Sequence, residues 1–248
     1  EELYSVIPTT PRVDSTTDSI QLISLKTSES LAVDPKLPKL VFVTCMDAIS
    51  SSTPKVQVTA LRVTESLSKG SSARQNVFLL KLLHLTDQTA PSEVLFQAAL
   101  SAGNLPKPQV IPVLAKIATE AIHHLIVREA VVTGLHHWEL QFLQYLLSDP
   151  AWIESQHGRS AMLQALAGAI IKEAIPTKVE LLLSLISEQD KEEIHWRRQS
   201  LLEGIAVNAR SRVTKTIHFN KQPKALTILE RDELPRNKTL LDQSMALF

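Results

Sequence analysis

The chain has 248 residues, with 26 basic and 26 acidic side chains, 44% hydrophobic residues and only 4% aromatic ones. Charge of equal sign count withholds the basic excess that a nucleic-acid groove ordinarily shows, and the longest apolar runs fall well short of the roughly 18 residues that a membrane span needs. What these totals describe is a neutral, Leu- and Ala-rich chain of one or two domains, with no strong electrostatic partner implied.

Residues 1–38 are rich in Ser, Thr, Pro and Asp, with Pro8, Pro11, Pro35 and Pro38 as breakers, and read as a linker following a neighbouring domain. The first residue is Glu1 rather than Met and no charged start, apolar core and cleavage site follow it, so the chain looks like an excised or processed segment. Residues 3–7 are strand-like, whereas Ile20, Leu22 and Leu25 fit a short strand or a helical turn equally. Cys45, the single cysteine, forbids an internal disulfide and supplies no thiol pair for metal or haem; Val41, Phe42, Val43 and Met46 around it indicate a buried thiol.

From residue 39 onward the apolar period is helical and the helices come in pairs. Long-chain apolar helices at 40–49, 77–85, 110–121, 140–147 and 179–186 are each followed by a helix rich in Ala and other small residues, at 56–67, 96–105, 126–135, a fainter 159–170, and 196–205. The equivalent small residues Ala60, Ala99, Ala130 and Ser200 are 39, 31 and 70 positions apart, the last gap being two units of 35 with the fainter copy inside it. A period of this length belongs to helical solenoids. Two helices of this size cannot bury an apolar stripe alone, so stacking of pairs would stabilise them, and small residues let the neighbouring helix come close. The expectation is an all-α chain: an α–α solenoid of about five helix pairs over residues 39–210, preceded by the irregular linker and followed by a C-terminal extension, 211–248, leading to a next domain.

The connections carry their own signals. Ser92 is placed to cap a helix with Glu93 in its first turn, and Pro112 lies in a first turn where a missing N–H costs little. His136 and His137 fall at a turn before Trp138, and 151–158 is a longer link containing Trp152. Thr177, with Glu180 three residues on, matches a capping box. Beyond Ala209 the regularity fades: 211–219 alternates weakly, then 223–229 and 238–247 look like two shorter helices split by Pro235.

Little in the chain carries chemistry. His123-His124 and His136-His137 could be called zinc ligands, but adjacent residues on a helix point about 100° apart and no carboxylate or cysteine completes the set; helix-end histidines meeting local carbonyls are the favoured reading. No serine stands in Gly-x-Ser-x-Gly, and six glycines leave no phosphate-cradling loop. The acidic run 188–193 lacks the spacing and central Gly of an EF-hand and reads as a solvated interhelical loop. Trp196-Arg197-Arg198 could suggest a nucleic-acid contact; the reading preferred is a core-facing Trp196 with arginine stems lying along the helix edge.

The repeats resemble degenerate HEAT repeats, with Val127-Arg128 where that family often carries a Val-Arg pair. More specifically, the chain is similar to the HEAT-repeat segment of large haem-binding dehydrogenases of planctomycetes and verrucomicrobia, in which a glucose/sorbosone-dehydrogenase-like β-propeller precedes the repeats and a c-type cytochrome follows. Residues 2–8, Glu-Leu-Tyr-Ser-Val-Ile-Pro, resemble the last propeller strand; 94–105 and 196–205 resemble two repeat helices; and Met245-Ala-Leu-Phe248 stops where that family tends to continue into Trp-Pro-Gly. The resemblance implies a bacterial, periplasmic or cell-envelope protein whose partners are the neighbouring propeller and cytochrome domains. The chain departs from the family's active parts: with no Cys-x-x-Cys-His it offers no haem attachment, and it includes no blade with cofactor ligands.

The functional expectation is therefore a non-catalytic helical-repeat scaffold or protein-interaction segment, with no catalytic, cofactor or metal residue, no nucleic-acid partner and no membrane span. Arg62, Gln97, Arg128 and Arg198 on the second helices are the candidates for partner contact. The alternative is a HEAT-fold enzyme or nucleic-acid-binding solenoid, like the DNA glycosylases and bilin lyases of that fold, or a free-standing adaptor; it would need a convergent polar cluster, and the polar residues of the second helices are scattered.

Overall fold

In the computed structural model the described residues are 37–86, 90–107, 109–209, 217–219, 221–231 and 234–247. The strand-like 3–7, the ambiguous 20–25 and most of the weakly alternating 211–219 lie outside them. The described residues form twelve α-helices and no strand. They are α1 Leu37–Ala48, α2 Pro54–Ser68, α3 Ser72–Thr86, α4 Ser92–Gly103, α5 Ile111–Glu120 and α6 Leu125–Leu135. Then come α7 Glu139–Ser148, α8 His157–Glu173, α9 Pro176–Ser187, α10 His195–Ala209, α11 Lys224–Leu229 and α12 Pro235–Ser244. All ten helices expected between residues 39 and 210 are present, most of them starting earlier than the apolar pattern does because the first turn of each carries polar residues or Pro.

Two helix starts differ from the expectation. Ser92 is the first residue of α4, with Pro91 before it and no side-chain cap, and Thr177 lies inside α9, which starts at Pro176 after an extended Ile175. In both places a proline presets the backbone angle for helix entry, and Pro176, at N1, gives up only an N–H that had no intrahelical partner.

Packing follows a simple order. α2, α4, α6, α8, α10 and α12 touch one another in sequence along one row, and α3, α5, α7, α9 and α11 along a second, with the two rows also in contact within pairs. The two helices of the extension thus lie on α9 and α10 and prolong both rows. Ile217 N–H, donating to the Leu247 carbonyl at 2.7 Å, ties the strand of chain entering the extension to its end. The core between the rows is continuous and dominated by large side chains of the first helices, among them Phe78, Leu114, Ile117 and Phe142, all shielded from solvent. Trp152, in a 3-10 turn after α7, is buried as well, and its indole N–H donates to Thr119 Oγ1 at 3.1 Å.

Small residues sit where the second helices cross. Ala60, Ala99, Ala130 and Ser200 are all buried. Between α4 and α6 the approach is closest: a Cβ placed on Gly103 would stand 2.5 Å from the Gly134 Cα, and one on Gly134 would stand 3.2 Å from the Ala99 carbonyl oxygen. Leucine at Ala99 therefore has no volume to occupy, and Ala99→Leu is expected to destabilise the fold by about 1–3 kcal/mol, measured by urea unfolding. A change within error would mean that this crossing can open without cost.

Candidate functional site

The second-helix row carries a polar seam made by residues one repeat apart. Arg62 on α2 donates from Nε to Gln97 Oε1 on α4 at 2.7 Å, and Gln97 passes a hydrogen bond to Ser101 Oγ at 3.1 Å. One turn along, Asn104 donates to Glu65 Oε1 at 2.9 Å. Further down the row Gln164 on α8 donates to Glu203 on α10, and Glu203 in turn pairs with Arg236 on α12. The sequence separations of these bonds, 35, 39, 39 and 33, fall within the 31–39 residue spacing of Ala60, Ala99 and Ala130 in the sequence. Glu65, Asn104, Glu203 and Arg236 were not singled out from the sequence, although pairing polar residues one period apart would have found them.

Beside the seam lies an open groove of about 580 Å³ between α2, α4 and α6, whose polar lining is Arg62, Glu65, Gln97, Asn104, Thr133 and His136. A smaller one of about 360 Å³ follows between α6 and α8, bordered by Arg128, Glu129 and Thr133. Both signs of charge are present in each, and Arg62 is exposed while Gln97 is buried. Such a surface can hydrogen-bond a polar partner.

Of the four residues nominated for partner contact, the structure brings together Arg62 and Gln97. Arg128 and Arg198 are used internally. Arg128 donates to the Ile122 carbonyl at 2.6 Å in the turn that ends its own pair's first helix. Arg198, 6% exposed, donates to the carbonyls of Ile186 and Ser187 at the end of α9, at 3.2 and 2.9 Å. Both occupy the same position, two before the small residue of the second helix, and both donate to carbonyls just past or at the end of the preceding helix. Gln57 does the same for Ile49 at 3.1 Å on α2.

The preferred reading of Trp196-Arg197-Arg198 needs correction. Trp196 is half-buried and packs against the core as expected, donating its indole N–H to the Ile153 carbonyl at 2.9 Å, but Arg197, expected to lie along the helix edge, is 4% exposed. Its guanidinium donates to the carbonyls of Trp152 at 3.2 Å and Leu147 at 3.1 Å and to Gln189 Oε1 at 3.3 Å. Burial, with no carboxylate beside it, holds the pKa of Arg197 below the usual arginine value. The arginine is a strut between α7, the Trp152 turn and α10. Gln189, from the acidic run, is buried against it while Glu192 and Glu193 face solvent.

Cys45 has no exposed surface, and burial pushes its thiol up to about 11, so it stays protonated and unreactive at neutral pH. The paired histidines are exposed: His123 and His124 border an apolar cleft of about 690 Å³ with Phe96, Leu125 and Ile126, and His136 and His137 form a left-handed turn with φ of 33° and 74°. Among the described residues no group of three or more His, Cys, Asp or Glu is placed to hold a metal ion, and no helix is long and apolar enough to cross a membrane. Set beside known proteins, the chain matches no protein-family model, no curated protein and no solved structure.

Proposed function

We propose that the chain is a HEAT-like α–α solenoid that works as a non-catalytic scaffold, holding other protein domains through the groove of its second helices. The observation that carries the reading is the pairing of two features: main contacts that run from each helix pair to the next along two rows of the described residues, and a groove of mixed charge along one of those rows. Units that contact their neighbours alone and present one long face are what repeat scaffolds are built from. The partners proposed are the propeller-like dehydrogenase and c-type cytochrome domains that the sequence resemblance implies, in a periplasmic or cell-envelope protein of bacterial origin.

On this reading the purified chain is colourless, retains no zinc through dialysis and does not bind DNA tightly. The partner interaction is partly electrostatic, so salt weakens it. The decisive test joins sequence and binding: β-propeller strands upstream and Cys-x-x-Cys-His downstream in the parent protein, and titration of the chain with those separately expressed domains. Arg62→Glu is expected to weaken that binding about tenfold. Stoichiometric zinc, a haem absorption band, or DNA binding below micromolar Kd at physiological salt would overturn the scaffold in favour of a HEAT-fold enzyme or nucleic-acid solenoid.

A further inference from the structure

The turn between α6 and α7 is held in an unfavourable shape by side chains from three later helices. His136 and His137 both have positive φ, 33° and 74°, a region that costs a non-glycine residue about 1–2 kcal/mol. The His137 N–H donates to Glu139 Oε1 of α7 at 3.2 Å, the His137 ring Nδ1 meets Glu173 Oε1 of α8 at 2.9 Å, and Lys178 Nζ of α9 donates to the His137 carbonyl at 2.8 Å. Lys178 also donates to Glu173 Oε2, so both oxygens of Glu173 are engaged. Lys172, next to Glu173 on α8, points its charge to solvent.

Glu139 is the group that does not fit a set of ordinary carboxylates. It is 7% exposed, and its Oε2 is buried with no N–H or O–H to accept from. A buried acceptor without a donor costs about 1–3 kcal/mol, more when it is charged. Beside the backbone N–H groups of His137 and Glu139 itself, the group that meets the Glu139 carboxyl is that of Glu173, which is brought there by the same His137, and two carboxyl groups can bond only while one of them carries a proton. We infer that Glu139 keeps that proton and donates it to Glu173, forming a proton-dependent latch that ties the α6–α7 turn to the α8–α9 turn. His136 lines the larger groove, so opening the latch alters that groove's wall.

Burial is the chief influence raising the pKa of Glu139, and the Glu173 carboxyl adds to it. At Glu173 burial also pulls upward, but the hydrogen bonds of Lys178, His137 and Glu139 outweigh it, and Glu173 titrates below the usual glutamate range. The two signs oppose. The contribution of Glu139 is complete below its unfolded pKa and is lost as pH rises through its raised folded value; that of Glu173 is complete above its unfolded pKa and is lost as pH falls through its lowered folded value. The latch is tightest between those limits.

The test is thermal unfolding of the parent chain, Glu139→Gln and Glu173→Gln from pH 5 to pH 8. A glutamine at 139 accepts from the His137 N–H and donates permanently to Glu173, so Glu139→Gln is expected to raise Tm at pH 8 by about 2–4 °C, the scale of one broken or restored interaction in a chain this long, and to flatten the pH dependence. Glu173→Gln is expected to lower Tm throughout, because His137 and Lys178 lose their anion. A Tm at pH 8 no higher than the parent's in Glu139→Gln, with an unchanged slope, overturns the latch. Independently of whether the variants fold, carboxyl-carbon NMR of the parent follows Glu139 directly: a midpoint above the ordinary glutamate value supports the shared proton, and one at or below it refutes it.

Discussion

Gly204→Ala is expected to cost about 3 kcal/mol or more and to lower Tm by roughly 6–12 °C. The added Cβ would lie 2.3 Å from the Gln164 carbonyl oxygen, 2.9 Å from the Gln164 Cα and 3.0 Å from the Ala167 Cβ. The two nearest of those atoms belong to the backbone of α8, so no rotamer change relieves the clash; α8 and α10 must part, and their crossing is the most extensive helix contact among the described residues. The gain of about 1 kcal/mol in helix propensity on replacing glycine by alanine offsets only part of this. Gly168→Ala on the facing helix is the internal control. Its Cβ would meet the Asn208 amide at 2.4 Å, a side chain that can swing away at the expense of its hydrogen bond to the Gly204 carbonyl. The cost of moving that amide and the propensity gain nearly cancel, and a stability within about 1 kcal/mol of the parent is expected. Equal losses in the two variants, by urea unfolding, would show that α8 and α10 have room to adjust.

Arg197→Ala is expected to cost about 3–4 kcal/mol, from two sources that a second variant separates. Alanine removes the stem that fills the space between α7, α10 and the Trp152 turn, and it leaves the carbonyls of Trp152 and Leu147 and the Gln189 amide oxygen without their donor. Arg197→Met keeps most of the volume and loses only the donors. It also removes a guanidinium whose burial is not matched by a carboxylate, which is a gain. The expected loss for methionine is therefore smaller, about 1–2 kcal/mol. A methionine variant as unstable as the alanine one would place the whole contribution of Arg197 in its hydrogen bonds; a methionine variant as stable as the parent would place it in packing.

The repeated helices were legible because their signal is additive: every pair presents an apolar face with helical spacing, and Ala60, Ala99, Ala130 and Ser200 mark one buried position in four copies. Helix starts were less legible. Ser92 and Thr177 have the right chemistry for caps, but the proline immediately before each already sets the chain's entry, and the helix begins one or two residues sooner than a cap would place it.

The polar residues of the second helices were the least legible part. Arg62, Arg128 and Arg198 look alike in the sequence, each standing two residues either side of a small buried position, and polar groups on a helix flank are ordinarily read as solvent-facing. What separates them is the direction in which a long side chain finds carbonyls left over at a helix end, and that depends on how the preceding turn folds. Arg128 and Arg198 lie over such a turn, whereas Arg62 lies over the next helix of its row. The contact of His137 with Glu173 was invisible for a related reason, since the two stand 36 positions apart and α7, the Trp152 turn and α8 must be in place before they meet.

The ordering of helix contacts has a bearing on how the chain acquires its shape. Each helix finds its main partners within one or two repeats, so no element waits for a distant stretch before it can be buried, and the loop-closure entropy of each step is small. During synthesis the pairs can close one after another behind the ribosome, with each new pair docking on an edge already formed. The same ordering governs failure under tension. Pulled from its ends, the chain would yield one pair at a time and recoil the same way, with the α8 and α10 crossing among the last to give because those two helices touch along more of their length than other described neighbours.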